Sequence, residues 1–288
     1  MAYDDRDYYR GDGAGGGFGG WDGPDGSSRG GFGASGGGGG WFHTVLRWLN
    51  VTFPLGTYAG IAVRLHITFF FALLFFLGVF GLTFHTLQIT ALLFLCVLLH
   101  EFGHCFGCRA VGGHADRILM WPLGGLAMCA PPRRPWPEFV TVAAGPMVNL
   151  LLGAATYLVL MAWHHGASPA SLNPFAPIQF DYFYSYSRID AMLAMAFAVN
   201  YTLLLFNLAL IFYPFDGGRL VQIGIWKLTD YPTSMRWAVR VGMGGAVLVA
   251  LVGLAYHNLM LVFIAVFGFL ACYQEGKMLS AGGEDQPW

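Results

Sequence analysis

Six long apolar segments constrain what this chain can fold into more than any other feature. They run from about Ile61 to Phe84, Leu87 to Cys108, Phe139 to Trp163, Ile189 to Tyr213, Ala238 to Tyr256 and Leu259 to Tyr273. A helix needs about 20 apolar residues to cross a bilayer, and most of these runs meet that length. The last is short. The pattern predicts an all-α integral membrane protein with about six transmembrane helices. Composition agrees, because only 11% of the residues are charged and 56% are hydrophobic, whereas soluble domains carry about 25% charged residues. A net charge of -1 offers no basic face for nucleic acid.

The ends of the chain differ from its middle. Residues 1–40 are dominated by Gly, Asp, Arg, Tyr and Ser, too little apolar surface to offset the entropy of ordering. A disordered, Gly-rich cytosolic tail is expected there, with no basic-then-apolar leader. Residues 41–60 carry Trp41, Phe42, Val45, Leu46, Trp48 and Leu49, an interfacial segment that can lie as a short helix in the headgroup layer. The core follows over 61–220, then C-terminal transmembrane helices over 221–276 and a short polar tail over 277–288. With the N-terminus in the cytosol and six crossings, every one of the 15 Lys and Arg residues except Arg188 falls on the cytosolic side. Positive charge concentrates inside, so both termini are read as cytosolic, and a cytoplasmic membrane is the simplest host for this multi-pass chain. The loop from Trp163 to Arg188 then faces outward as an irregular cap. Cys105 and Cys108 form a CxxC without a second pair to complete a four-thiolate site, and read as small apolar residues.

The second apolar segment contains His100-Glu101-Phe102-Gly103-His104. Residues four apart on a helix stack with Cβ atoms about 5–6 Å apart, so the two imidazoles can share one zinc ion. Glu101, turned to the side, is the candidate general base for a water beside the metal. A charged group at mid-bilayer costs about 2.5–3.5 kcal/mol on insertion scales, and Glu101 is the one glutamate inside the apolar part of a segment. The bland alternative is a polar cluster that glues helices together. A catalytic zinc needs a third protein ligand at similar depth. Asp216 qualifies: like His104, it lies a few residues before an arginine at the cytosolic end of an out-to-in segment. Pro214 breaks the helix, and Gly217-Gly218 allow a tight turn that aims the carboxylate inward.

These residues together carry a family pattern. His100 to His104 on one segment and Asn207…Pro214-Phe215-Asp216-Gly217 on a later one resemble the site-2 protease family of intramembrane zinc metalloproteases. Pro122-Leu123-Gly124-Gly125 and Ala144-Gly145-Pro146-Met147-Val148-Asn149 also match. The resemblance covers about Ile61 to Leu220 and implies one Zn2+ per chain held by His100, His104 and Asp216, with Glu101 as base. It further implies a re-entrant β-loop after the second helix, and substrate binding or oxyanion support from Asn149. The chain departs from the family at Leu210 and Ile211, where a proline is usual, and at Phe215, where leucine is commoner. No stretch is long enough for an inserted PDZ domain, and no CBS-type nucleotide-sensing domain is expected after Tyr273. His66 is a candidate gate or spare ligand, or an interfacial histidine facing headgroups. Asn207 can cap or bond the broken segment before Asp216.

The expected function is hydrolysis of peptide bonds in or near transmembrane segments of membrane-protein substrates, as in regulated intramembrane proteolysis. The expected partners are those substrates, the lipid bilayer and a regulatory membrane protein. A scaffold or transporter with a structural zinc is the alternative, and it requires a fourth protein ligand. A membrane metalloprotease with a glutamate as third ligand ranks last, because no suitably placed Glu follows His104.

Overall fold

The computed structural model describes residues 51–121, 124–164, 170–173, 187–210 and 212–281. The expected Gly-rich tail, most of the interfacial segment, Pro122-Leu123, most of the 163–188 loop and residues 282–288 lie outside them. In chain order the elements are β1 (Thr52–Tyr58), β2 (Ile61–His66), α1 (Ile67–Phe80), α2 (Phe84–Ala110), β3 (His114–Trp121), β4 (Gly124–Ala130), α3 (Pro135–Trp163), α4 (Arg188–Ala209), α5 (Asp216–Trp226), α6 (Tyr231–Ala255) and α7 (Leu259–Ala281). Among the described residues, five helices are long and apolar enough to cross a membrane: α2, α3, α4, α6 and α7.

Two expectations about the first apolar run need correction. Ile61 to Phe84 is not one helix. Its first residues form β2, where burial alternates residue by residue, the period-2 signature of a strand. Ile61, Val63 and Leu65 point inward while Ala62, Arg64 and His66 face the other way. The helix that follows, α1, has 14 residues, about 21 Å at 1.5 Å per residue, well short of a roughly 30 Å hydrocarbon core. The all-α reading is also incomplete, because residues 52–58 of the interfacial segment form a strand and four strands make one sheet in the order β1-β2-β3-β4. The last apolar run is longer than expected, since α7 continues to Ala281.

The sheet is built around the end of α2. β1 and β2 are antiparallel, β2 and β3 parallel, and β3 and β4 antiparallel. The parallel pair is joined by the α1–α2 helical hairpin. Its inward residues Ile61, Val63, Leu65, Ile118 and Met120 form one core with Cys105 and Cys108 of α2, so the cysteines are packing groups, as their composition suggested. The β3–β4 hairpin folds back along the last turns of α2. At one end the Cys108 thiol donates to the His114 carbonyl at 3.4 Å. At the other, the Ala127 N–H donates to Glu101 Oε2 at 2.9 Å.

Glycine sets how closely α2 and α3 approach. A Cβ at Gly103 would stand 2.6 Å from the Ala144 carbonyl oxygen, and one at Gly107 would stand 2.5 Å from Ala144 Cβ. Both are closer than real Cβ contacts permit, so the two backbones touch along one glycine-lined face. At the far end of α3, His164 lies 3.1 Å from Asp190 in the first turn of α4, both largely buried. This pair ties two helices together.

Arg109 locks the sheet to α2. Its guanidinium donates to the Ala59 carbonyl at 2.6 Å, Gly60 at 3.0 Å and Ala115 at 2.8 Å, holding a β1–β2 turn in which both central residues have positive φ. Charge-assisted hydrogen bonds of this kind are each worth about 1.5–3 kcal/mol when buried and less when exposed. Arg109→Ala is therefore expected to lower the midpoint of thermal unfolding in detergent by several degrees, with early proteolysis in the β1–β2 turn.

Candidate metal centre

His100 and His104 stand one turn apart on α2, with their Nε2 atoms 3.0 Å from each other. Asp216, in the first turn of α5, brings Oδ2 to 3.2 Å from His100 Nε2 and Oδ1 to 3.5 Å from His104 Nε2. One ligand atom from each residue lies within 4.8 Å of the others. Two distant parts of the sequence thus meet.

The groups behind the histidines decide what these atoms can do. His100 Nδ1 bonds to Asn149 Oδ1 at 2.5 Å, and His104 Nδ1 bonds to the Thr141 carbonyl at 2.8 Å. Both partners are acceptors, so both Nδ1 atoms carry the hydrogen and a neutral ring keeps its lone pair on Nε2. Two lone pairs then face each other at close range beside a carboxylate, and Asp216 Oδ2 is buried with no hydrogen bond of acceptable geometry. Such a set is electrostatically unfavourable without a cation and well suited to one. Imidazole and carboxylate donors fit zinc, and donation of the outer ring N–H to an acceptor is the usual support for a ligating histidine.

Helix α3 supplies these supports and makes room for the site. A Cβ at Gly145 would stand 2.9 Å from His100 Nε2 and closer still to His104 Nε2. Only glycine lets α3 cross the pair of rings. Pro146, next to it, has no N–H to donate within the helix. Asp216 is aimed by close backbone packing. A Cβ at Gly217 would meet the carbonyls of Asn207 and Leu210 at 3.0 Å, and one at Gly218 would overlap the Phe212 backbone. Arg219, one turn beyond Asp216, bonds Glu138 of α3 at 3.2 Å, joining α5 to the helix that supports His104.

Glu101 follows His100 directly on α2 and is buried. Its Oε2 is held by the Ala127 N–H. Gly125 packs against the same carboxylate, where a Cβ would stand 2.7 Å from Cδ and 2.9 Å from Oε1.

The remaining candidates sort differently. Asn149 is fully buried, with Oδ1 on His100 and Nδ2 donating to Asn200 Oδ1 at 2.9 Å. Its amide thus supports a histidine, a role the sequence did not suggest. His66 is not part of the converging set. Its Nδ1 bonds the Thr68 hydroxyl at 2.7 Å and caps α1. Asn207 contributes its backbone carbonyl against Gly217. Three contributors escaped the sequence reading: the Thr141 carbonyl, the Ala127 N–H and Asn200, while Gly145 stood in the matched motif without a role assigned to it. Two are backbone groups with no side-chain signature. Asn200, a buried amide in an apolar helix, carried a usable signal.

The family model of peptidase family M50 matches residues 88–252, more than half of the chain. This chain belongs to peptidase family M50, the site-2 proteases. Among its M50 relatives, a zinc metalloprotease of Methanocaldococcus jannaschii is 28% identical over 236 residues, 80% of this chain and 62% of its own length. A relative from Synechocystis sp., provisionally named a zinc metalloprotease, is 30% identical over 176 residues, 60% of this chain and 41% of its own length. The chain thus spans less than two thirds of these relatives. The solved site-2 protease from Methanocaldococcus jannaschii superimposes with a TM-score of 0.57 at 26% identity, covering 78% of this chain and 95% of that one. The M50 match runs across His100, His104 and Asp216.

The Gly145 contact makes a sharp prediction. Gly145→Ala puts a methyl group on the Nε2 atoms and is expected to lower bound zinc about tenfold or more, read by metal analysis of the purified chain. Gly153→Ala on the same helix, where the nearest atom is 3.6 Å away, is the control and should keep its zinc.

Proposed function

We propose that this M50 chain is an intramembrane zinc metalloprotease that hydrolyses peptide bonds in or near transmembrane segments of other membrane proteins. The observation that carries the proposal is the convergence of two Nε2 lone pairs and the Asp216 carboxylate beside a buried Glu101. His100, His104 and Asp216 hold one zinc ion. Three protein ligands leave a position open, the mark of a catalytic site and not a structural one. Bound there, zinc supplies Lewis acidity that polarises a carbonyl and lowers the pKa of water towards about 7.

The chain's own groups do the rest. Glu101 takes a proton from the attacking water and returns it to the leaving amine, so that water and one peptide bond give a carboxylic acid and an amine. With Oε2 fixed by the Ala127 N–H, Oε1 is left for the proton. The same bond supports a substrate path, since it aims the free edge of β4 at the catalytic carboxylate. A transmembrane helix must unwind before its carbonyls can be attacked, and an unwound segment can add to β4 as a further strand. The charge distribution of the sequence supports a site near the cytosolic side of a cytoplasmic membrane, with both termini cytosolic. Regulated proteolysis, with a membrane partner that controls access, fits this arrangement.

The test uses the full chain reconstituted with a model transmembrane substrate. Glu101→Gln is expected to keep zinc and lose cleavage by about 10²–10⁴-fold. Cleavage that survives this change removes Glu101 from the mechanism. A bound zinc with four protein ligands by X-ray absorption, and no cleavage, would favour the structural-zinc alternative. Gly125→Ala pushes on the Glu101 carboxylate and is expected to lower kcat while zinc content stays at the wild-type level.

A further inference from the structure

The buried polar chain behind His100 ends on a group whose polarity cannot change. Asn200 of α4 donates through Nδ2 to the Ala196 carbonyl at 2.9 Å and to the Cys96 sulfur at 3.2 Å. Its Oδ1 accepts from Asn149 Nδ2 at 2.9 Å, and Asn149 Oδ1 accepts from His100 Nδ1. Both asparagines are buried, so water does not substitute for either partner.

We propose that Asn200 is a positioning residue that sets, through Asn149, which nitrogen of His100 carries the hydrogen, and so whether that histidine can hold a metal. The proposal rests on the reading of His100, His104 and Asp216 as a zinc site. A side-chain amide has two ends of similar size and opposite polarity. Asn149 alone can turn either end towards His100. With Oδ1 inward, His100 is an Nδ1–H tautomer and its Nε2 lone pair points at the trio. With Nδ2 inward, the hydrogen moves to Nε2 and blocks the ligand atom. The Ala196 carbonyl removes this freedom, because it can only accept. Asn200 must give it Nδ2, must therefore present Oδ1 to Asn149, and Asn149 must in turn present Oδ1 to His100. The directional information runs across three helices, from a backbone carbonyl of α4 through Asn149 of α3 to a ligand on α2. Asn200 itself makes no contact with the trio.

The test measures zinc affinity of the full chain in detergent, by competition with a chromophoric chelator, with thermal stability of the metal-free protein recorded alongside. Asn200→Leu fills the space without the polarity and is expected to weaken zinc binding about 10–100-fold. Adding Asn149→Asp to that variant is expected to restore most of the affinity, because a carboxylate presents an acceptor to His100 whichever way it turns. A purely structural role for Asn200 predicts no such rescue. Asn200→Asp keeps an oxygen towards Asn149 and, when protonated, a donor towards Ala196. It should bind zinc within about threefold of wild type, and it serves if the leucine variant does not fold. Wild-type affinity in Asn200→Leu, or equal loss in the double variant and in Asn200→Asp, overturns the proposal for Asn200 alone. A wild-type chain that binds no zinc overturns the metal centre with it.

Discussion

Two imidazole nitrogens without hydrogens, 3.0 Å apart and beside a carboxylate, repel one another unless a cation stands among them. The rest of the structure holds that arrangement in place. Helix α2 supplies the pair by simple four-residue spacing, but spacing does not fix which nitrogen faces inward. That is settled by acceptors on a different helix. Asp216 arrives from a third element whose entry is shaped by two glycines packed on backbone. No single helix owns the centre, so it exists only when the bundle is assembled.

Helix α3 contributes no ligand, yet the site depends on it most. Thr141, Gly145 and Asn149 are separated by four residues each and therefore share one face. That face presents an acceptor to one histidine, an absent side chain to both rings and an acceptor to the other histidine. Gly103 and Gly107 on α2 answer it with a bare backbone surface. Close approach in a membrane usually serves helix association. Here it also brings polar atoms within reach of a metal site without adding any charge to an apolar interior.

Much of this was legible in the sequence. The candidate trio could be read because His100, His104 and Asp216 stand out chemically in an apolar chain and because the charge pattern of the sequence predicts one depth for them. The hairpin after α2 was expected only through the family resemblance of Pro122-Leu123-Gly124-Gly125. The error at Ile61 to Phe84 came from hydropathy, which does not distinguish a buried strand from part of a helix when both are apolar. The alternation of Ile61, Val63 and Leu65 with Ala62, Arg64 and His66 was present but short. The contact of Asn149 with His100 was not legible for another reason. Which end of an amide faces which neighbour depends on Asn200, some fifty residues away, and no local pattern records that pairing. The Thr141 carbonyl and the Ala127 N–H are invisible in principle, since every residue owns such groups.

The parallel pairing of β2 with β3 reaches beyond the sheet. Leu65 pairs with Met120, Met120 pairs with Gly125, and Gly125 touches Glu101. Helix α1 therefore starts level with the Glu101 carboxylate, and the six residues of β2, about 20 Å at a strand's rise, carry the chain down from that level to the end of α2. The apolar run that the sequence suggested as a first crossing is half strand and half helix. A strand at such depth is tolerable because β1 and β3 pair both its edges. The sheet therefore carries hydrogen-bonding backbone along α2 as far as Glu101, and the polar surface of the chain extends up to that carboxylate and does not stop at the end of the helix.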